Sequence, residues 1–296
     1  MATCRPKTFE DVIGQQDVVN RLRIFTHGCK DGNSTMPHVL IDGPPGLGKT
    51  TIASAIANEL DSELIVANAA SIRSVKNMTR YLLNLQPRCV LFIDEIHRLP
   101  MIVEEFLYPV MEDFKASVVL DSEPEEIDIP KFTLVGATTS GGTLSQPFYD
   151  RFTIKEHLSF YTTDELSKLA GLNANTLGLT VSQDHLDGIA ERSKGTPRIL
   201  NARLEWYKNY TNFYPDAKDI DEIFNTQGID KYGMDENDRK YLEILIKNRG
   251  NPLGIKSISG MTGIAIDTIE NSIEPYMVRQ GFVVRTQKGR IIGKMP

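Results

Sequence analysis

The sequence predicts an α/β protein in which a mainly parallel sheet is followed by a helical domain and then by three helices and a hairpin. Three observations carry this. Short apolar strands alternate with helical stretches through the first half of the chain, as in a parallel sheet with crossover helices. The pattern turns mostly helical after Phe160. A third unit opens near Gly228 and closes on two short β-rich runs.

The first strand is HVLID (38–42), followed by GPPGLGKT and a helix to about Leu60, with Ile52, Ala53, Ile56 and Leu60 at helical spacing. ELIVAN (63–68) is the second strand. CVLFID (89–94) is the third, apolar on both faces as a central parallel strand is. SVVLD (117–121) and EIDIP (126–130) read as a short hairpin across SEPE, and FTLVGATT (132–139) as the next buried strand. TTDE (162–165) is a capping box, Thr162 with Glu165, that opens the helical domain. Loops are expected there at LGLTVS and KGTPR. In the third unit, DENDRKYLEILIKNRG predicts a helix ending at Gly250, and a second helix begins near Ile255. IDTIENSIEPYMVRQG predicts a third, with Ile269, Ile273 and Met277 on one face and Gly281 just past its end. FVVRT–QKG–RIIG then forms a β-hairpin. Three helices and a hairpin make a winged helix, a DNA-binding architecture that also binds proteins. The expected boundaries are 1–158, 159–227 and 228–296.

With 296 residues, the chain is long enough for two or three domains. No run of about 18 apolar residues occurs, so no transmembrane helix and no membrane partner is expected. MATCRPKTFED has no apolar signal core. Cys4, Cys29 and Cys89 are odd in number and widely spaced, which argues against a disulfide framework or a zinc site and for the reduced cytoplasm. The net charge of −6 removes any global electrostatic footprint for nucleic acid, so DNA contact requires a local basic patch.

GPPGLGKT (43–50) fits the phosphate-loop pattern and sits between a strand and a helix, the context that pattern requires. Its backbone N–H groups and the helix N-terminus face phosphate oxygens. The nucleotide-binding set is Pro45, Gly46, Leu47, Gly48, Lys49, Thr50 and Thr51. Lys49 reaches the β/γ-phosphates of ATP and Thr50 ligates Mg²⁺. In LFIDEIH (91–97), Asp94 suits Mg²⁺ coordination through water and Glu95 suits polarising the attacking water. Two carboxylates at the end of a buried strand are costly without such work; the blander reading is that they cap the following helix. Thr138 and Thr139 end the FTLVGATT strand, where a polar group senses γ-phosphate or orients water, or merely ends the strand. Arg198 of KGTPR is placed to reach over a nucleotide or to sit on the surface. The wing RTQKGR (285–290) carries Arg285, Lys288 and Arg290. From Arg279 to Pro296 there are five Lys/Arg and no acid, the best phosphate-binding candidate in an acidic chain.

GPPGLGKTT, VLFIDEIHRL, EEFLYPVMEDF, FTLVGATT, DRF, GTPR and GFVVRTQKGR together resemble the RuvB family of Holliday-junction branch-migration motors, in order and nearly in spacing. RPKTFEDVIGQ resembles its N-terminal segment. GPPGLGKT alone points only to AAA+ ATPases; EIHRL with LYPVMEDF and the terminal wing are far more specific. The resemblance implies an AAA+ P-loop domain, a helical lid and a winged-helix domain. It implies a homo-oligomeric ring, usually a hexamer, with ATP between subunits. Arg5, Val12 and Ile13 then fall on the adenosine side, with Tyr161 nearby. Arg198, beside Pro197, becomes the lid arginine that contacts phosphate. Arg285 and Arg290 become wing contacts to four-way-junction or duplex DNA. Thr139 or Thr138 falls on the sensor strand. Arg151 becomes the finger that enters the neighbouring subunit's ATP site, a contribution of about 10³–10⁵ in rate.

Three departures stand out. Tyr149 and Ser140 replace family arginines, and the segment before FTLVGATT is about four residues shorter than usual. The family's hairpin there is apolar-tipped and grips RuvA. The tip SEPEE is acidic, and an acidic tip does not bury an apolar anchor. Docking to a RuvA-like partner is therefore not assured, and the chain reads as a divergent member with another partner or none. The expected activity is an ATP-driven DNA motor for branch migration. The alternative is an AAA+ loader or adaptor that remodels a protein partner.

Overall fold

The computed structural model describes residues 6–120, 123–139, 143–248 and 250–294. They divide into two compact units, one ending at Ser159 and the other starting at Phe160.

The first unit is a five-stranded parallel sheet with helices. After α1 (Gln16–Asp31) come β1 (Val39–Asp42) and α2 (Lys49–Glu59), then β2 (Leu64–Asn68), α3 (Val75–Leu82) and β3 (Val90–Asp94). α4 (Met101–Glu112) leads into an antiparallel pair, β4 (Lys115–Leu120) and β5 (Glu123–Asp128). β6 (Thr133–Thr138), α5 (Gln146–Asp150) and β7 (Ile154–His157) complete it. The strand order is β2-β3-β6-β1-β7. Register sets Asp42 beside Thr138 and Asn68 beside Asp94. A polar residue therefore ends each of these four strands on one edge of the sheet. Elsewhere β3 and β6 are buried throughout, as their continuous apolar sequence requires.

α1 and β7 go beyond the elements expected from sequence. β7 is short, and its alternation IKEH looks polar because Glu156 is buried yet paired with Arg21. The β4–β5 hairpin also differs from expectation. Glu123 and Pro124 lie within β5, so the connection is shorter than SEPE. A two-stranded ribbon has only edges, where proline and acidic residues are tolerated.

The second unit begins with the lid helices α6 (Thr163–Thr176), α7 (Gln183–Glu191), α8 (Pro197–Phe213) and α9 (Ile220–Asn225). The Thr162–Glu165 capping box forms as expected, with Glu165 Oε2 accepting from Thr162 N–H at 2.8 Å. Pro197 and Arg198 belong to the first turn of α8 and not to a loop. Proline suits that position because its missing N–H would have no intrahelical partner there.

The winged helix follows: α10 (Glu236–Lys247), α11 (Ile255–Thr262), α12 (Ile266–Thr268), a π turn over Ile269–Ile273, α13 (Glu274–Arg279), β8 (Val283–Thr286) and β9 (Gly289–Ile292). α10 stops at Lys247, three residues before the expected Gly250. The third helix is continuous in sequence but carries the π turn just before Pro275. Proline cannot donate to the helical ladder, and a local widening accommodates it. Ile269, Ile273 and Met277 all enter the core with Tyr241, Leu245 and Phe282.

Candidate active site

The phosphate loop leaves the carboxyl end of β1. Gly43 (φ +147°) packs so tightly on the backbone of Leu158 that a Cβ would stand 2.7 Å from its carbonyl oxygen. Gly48 (φ +99°) opens α2, whose first turn has no side-chain cap and no acid. Those N–H groups, with the positive end of the helix dipole, form an anion-binding surface. The buried Lys49 ammonium donates to the carbonyls of Gly43 at 2.6 Å and Pro44 at 3.1 Å, so it lies within the loop's own curve. Pro45 is exposed, Leu47 is buried, and Gly46, Thr50 and Thr51 are half-buried along the same turn.

The segment holding Val12 and Ile13 converges on the same place. The Gln15 side chain donates to Ser159 C=O at 2.6 Å and accepts from Ser159 N–H at 3.1 Å. Both the phosphate loop and the Val12–Ile13 segment are thereby anchored on the chain leaving β7. Arg5, expected beside them, lies outside the described residues, as does Ser140.

Asp94 ends β3, and its Oδ1 accepts from Glu95 N–H at 3.0 Å. Glu95 is a non-glycine residue at φ +52°. This left-handed conformation costs about 1–3 kcal/mol and recurs where a site fixes a side chain. It turns the carboxylate toward two partners. Thr139 Oγ1 donates to Glu95 Oε2 at 3.4 Å, and His97 Nε2 lies 3.3 Å from the same oxygen. His97 Nδ1 in turn lies 2.9 Å from Thr138 Oγ1. Both threonines and both acids are thus joined at the carboxyl ends of β3 and β6, where ligands bind in open parallel sheets. His97 was not singled out from sequence. Its position two residues after the acidic pair was the available signal, but only the short helical turn at Ile96–Arg98 brings its ring back.

Arg151 lies at the opposite edge of the sheet. Its cleft, about 770 Å³, is lined by His38, Lys131 and Thr153, which precede β1, β6 and β7. The guanidinium donates to Pro147 C=O at 2.7 Å, lies 3.2 Å from Glu112 Oε1 and stacks 4.1 Å from the Tyr108 ring centre. β1 alone spans four residues, about 13 Å at strand rise, between this edge and the phosphate loop. Tyr149 carries Lys155 Nζ 4.3 Å from its ring centre. A cation is therefore present beside Tyr149 although the residue itself is neutral.

The second unit holds the remaining expected residues. Tyr161 is buried, and its N–H donates to Gly195 C=O at 3.0 Å. Arg198 is exposed on the first turn of α8, beside Pro197. In the wing, Lys288 is exposed in the two-residue turn between β8 and β9. Arg290 is mostly buried and Arg285 half exposed, and both reach one carboxylate. Arg285 Nη2 lies 2.6 Å, and Arg290 Nε 2.7 Å, from the carboxylate of Glu274, which Tyr241 O–H also reaches at 2.9 Å. Burial alone would raise the Glu274 pKa; the hydrogen bonds from Arg290 and Tyr241 and the charges of both arginines outweigh it and hold the group below the ordinary glutamate range.

Three family models match successive stretches: the Holliday junction DNA helicase RuvB P-loop domain over residues 4–158, the RuvB AAA lid domain over 161–235, and the RuvB C-terminal winged helix domain over 231–295. The chain is 39% identical over 298 residues to the Holliday junction branch migration complex subunit RuvB of Rhodopirellula baltica, covering 98% of this chain and 81% of that protein. Among solved structures it is similar to the Thermotoga maritima RuvB Holliday junction branch migration motor, at 38% identity and TM-score 0.88, covering 98% of this chain and 95% of that one. A point mutant of the same protein matches at 37% identity and TM-score 0.89 with the same coverage.

Proposed function

The chain belongs to the RuvB family, and from that premise we propose that it is an ATP-driven motor that moves Holliday-junction DNA during branch migration in recombination and repair. The described residues contain no helix long and apolar enough to cross a membrane; the cytoplasm is the proposed location, by family likeness. The proposed division is an AAA+ domain over 1–158, a lid over 159–227 and a DNA-binding winged helix over 228–296. The loader or adaptor reading is not favoured, because models of one motor family match nearly the whole chain.

In this reading Pro45–Thr51 wrap the phosphates of ATP, Lys49 turns from the loop carbonyls to the β/γ-phosphates, and Val12, Ile13 and Tyr161 meet the adenosine. Arg5 joins them. Thr50 and Asp94 form an all-oxygen donor set, the kind Mg²⁺ prefers; the ion neutralises phosphate charge when bound. Glu95 orients the attacking water, with Thr139 and His97 fixing its carboxylate. Arg198 closes over the nucleotide from the lid. Lys288, and the outer face of Arg285, meet the DNA backbone, while Arg290 acts by shaping the wing. The acidic hairpin favours a partner other than an apolar-gripping RuvA.

One observation carries the assembly claim. The phosphate loop and the Asp94–Glu95 pair lie at the carboxyl ends of the strands, whereas Arg151 lies at the amino ends of the same sheet. An arginine so placed serves a neighbour's ATP and not its own, which calls for a closed ring, by family likeness a hexamer. The test is an Arg151→Ala protein. It is expected to bind ATP and assemble but to hydrolyse slowly; turnover equal to the parent would refute the finger role.

A further inference from the structure

α4 begins three residues after the end of the His97 turn, near the carboxyl edge of the sheet, and ends at Glu112 in the cleft that holds Arg151. Glu104, Tyr108 and Glu112 recur along it at four-residue spacing, so they share one face. Their contacts form a chain. Buried Glu104 accepts from Ser145 O–H at 2.6 Å, and the Ser145 hydroxyl lies 3.1 Å from the Tyr108 hydroxyl. The Tyr108 ring faces the Arg151 guanidinium at 4.1 Å, and Glu112 lies 3.2 Å from its Nη2. The Pro147 carbonyl holds Nη1. The guanidinium is therefore fixed on its flat face by a ring and on its edge by two oxygens.

We propose that Tyr108 and Glu112 are positioning residues for Arg151, holding its guanidinium in the orientation from which it enters the neighbouring subunit's ATP site. The inference rests on the trans reading of Arg151. A free arginine side chain must lose considerable rotamer entropy to make a directed contact, and prior fixation removes that loss from the catalytic step. Stability is a weak alternative explanation for the Glu112 contact. Its side chain is 57% exposed, and ion pairs at such sites are screened and contribute little. A ring platform orients the plane of the guanidinium without neutralising it. The Glu112 carboxylate offsets part of the positive charge, but it is exposed and screened, so the guanidinium keeps a positive field for phosphate. The buried Glu104–Ser145 pair then serves to hold the Tyr108 hydroxyl. Since the same helix starts beside the Glu95–His97 network, it links a protomer's own site to the finger it lends.

The test uses mixed assemblies of the full chain. Wild-type protein is diluted into excess Lys49→Ala protein, so that each active site faces a neighbour with a disabled site but an intact finger. Parallel series use excess Lys49→Ala protein that also carries Glu112→Ala, Tyr108→Leu or Arg151→Ala. Turnover per active subunit is expected to fall about tenfold with either cradle change, through kcat with KM for ATP unmoved, and further with Arg151→Ala. A change that merely loosened its own subunit would not alter a wild-type neighbour's kcat. Should Tyr108→Leu fail to assemble, Glu112→Gln, nearly isosteric with the parent, carries the cradle test beside Glu112→Ala. If the Arg151 series falls while the cradle series hold or rise, the positioning role is wrong and the trans finger stands. If the Arg151 series holds as well, the trans reading itself fails.

Discussion

Glu274, with no exposed side-chain surface, accepts a hydrogen bond from Arg290 Nε at 2.7 Å at the base of the wing. Arg285 shares the same carboxylate from the other strand of the hairpin. A residue pair that sequence alone assigns to DNA is thus also the fastening of β8 and β9 to α13.

Arg290 and Lys288 are therefore expected to separate. Arg290→Ala leaves a buried carboxylate short of a partner and should destabilise the second unit by about 3 kcal/mol. Lys288→Ala should leave unfolding unchanged, weaken DNA binding evenly across sequences and reduce the salt slope by about 1. Denaturant unfolding and DNA titration at several salt concentrations read both. An unaltered unfolding midpoint in Arg290→Ala would assign that arginine to DNA alone.

His38 predicts an acid limit for the first unit. Its Nδ1 accepts from Leu134 N–H at 2.9 Å and its Nε2 lies 3.0 Å from Met111 C=O, which fixes the neutral tautomer. Burial lowers its pKa below 6.5 despite the Met111 contact. Between the lowered native value and 6.5, the unfolded chain binds more protons. The contribution of His38 is therefore complete above 6.5 and lost as pH falls through that window. Unfolding midpoints measured across the window should decline with acid, and His38→Gln should flatten that decline. An equal slope in the variant would place the titration elsewhere.

Lys194 and Asp238 form a buried ion pair between the lid and α10. Burial raises the Asp238 pKa although Lys194 opposes it. Removing one partner leaves an uncompensated charge, so Lys194→Met should destabilise the second unit by about 3–5 kcal/mol, and Lys194→Met with Asp238→Leu should recover much of that. A double-mutant cycle on unfolding free energies reads the coupling. Strictly additive losses would show that the two charges do not depend on one another.

Glu95→Gln should bind ATP and lose turnover, because the amide orients but does not polarise water. His97→Ala should lower kcat by about tenfold with little change in ATP affinity, as expected when an orienting contact is lost. Single-turnover hydrolysis beside equilibrium nucleotide binding separates the two effects. A His97→Ala protein that loses affinity while keeping kcat would move His97 to nucleotide binding.

Much of the site was legible because its residue types carry their own requirement. Gly43 and Gly48 occupy conformations that other residues enter only with strain, and Asp94 and Glu95 terminate an apolar run with charge. The rest depends on partners distant in sequence. Glu274 precedes Arg285 and Arg290 by eleven and sixteen residues, and nothing in the wing sequence announces it. The cation beside Tyr149 comes from Lys155, on the following strand. The Glu104–Tyr108–Glu112 face of α4 was quoted only as a family pattern, since its meaning appears once α5 sets Arg151 upon it. β5 was partly read as a turn because acidic residues and proline carry little strand signal.

The most direct test of the account is processing of a labelled four-way DNA junction by the purified chain, alone and with a cognate partner. Conversion of the junction to duplex products is expected with ATP and Mg²⁺, and its loss in Lys49→Ala and Glu95→Gln. ATP hydrolysis that leaves the junction intact under every condition would contradict the motor.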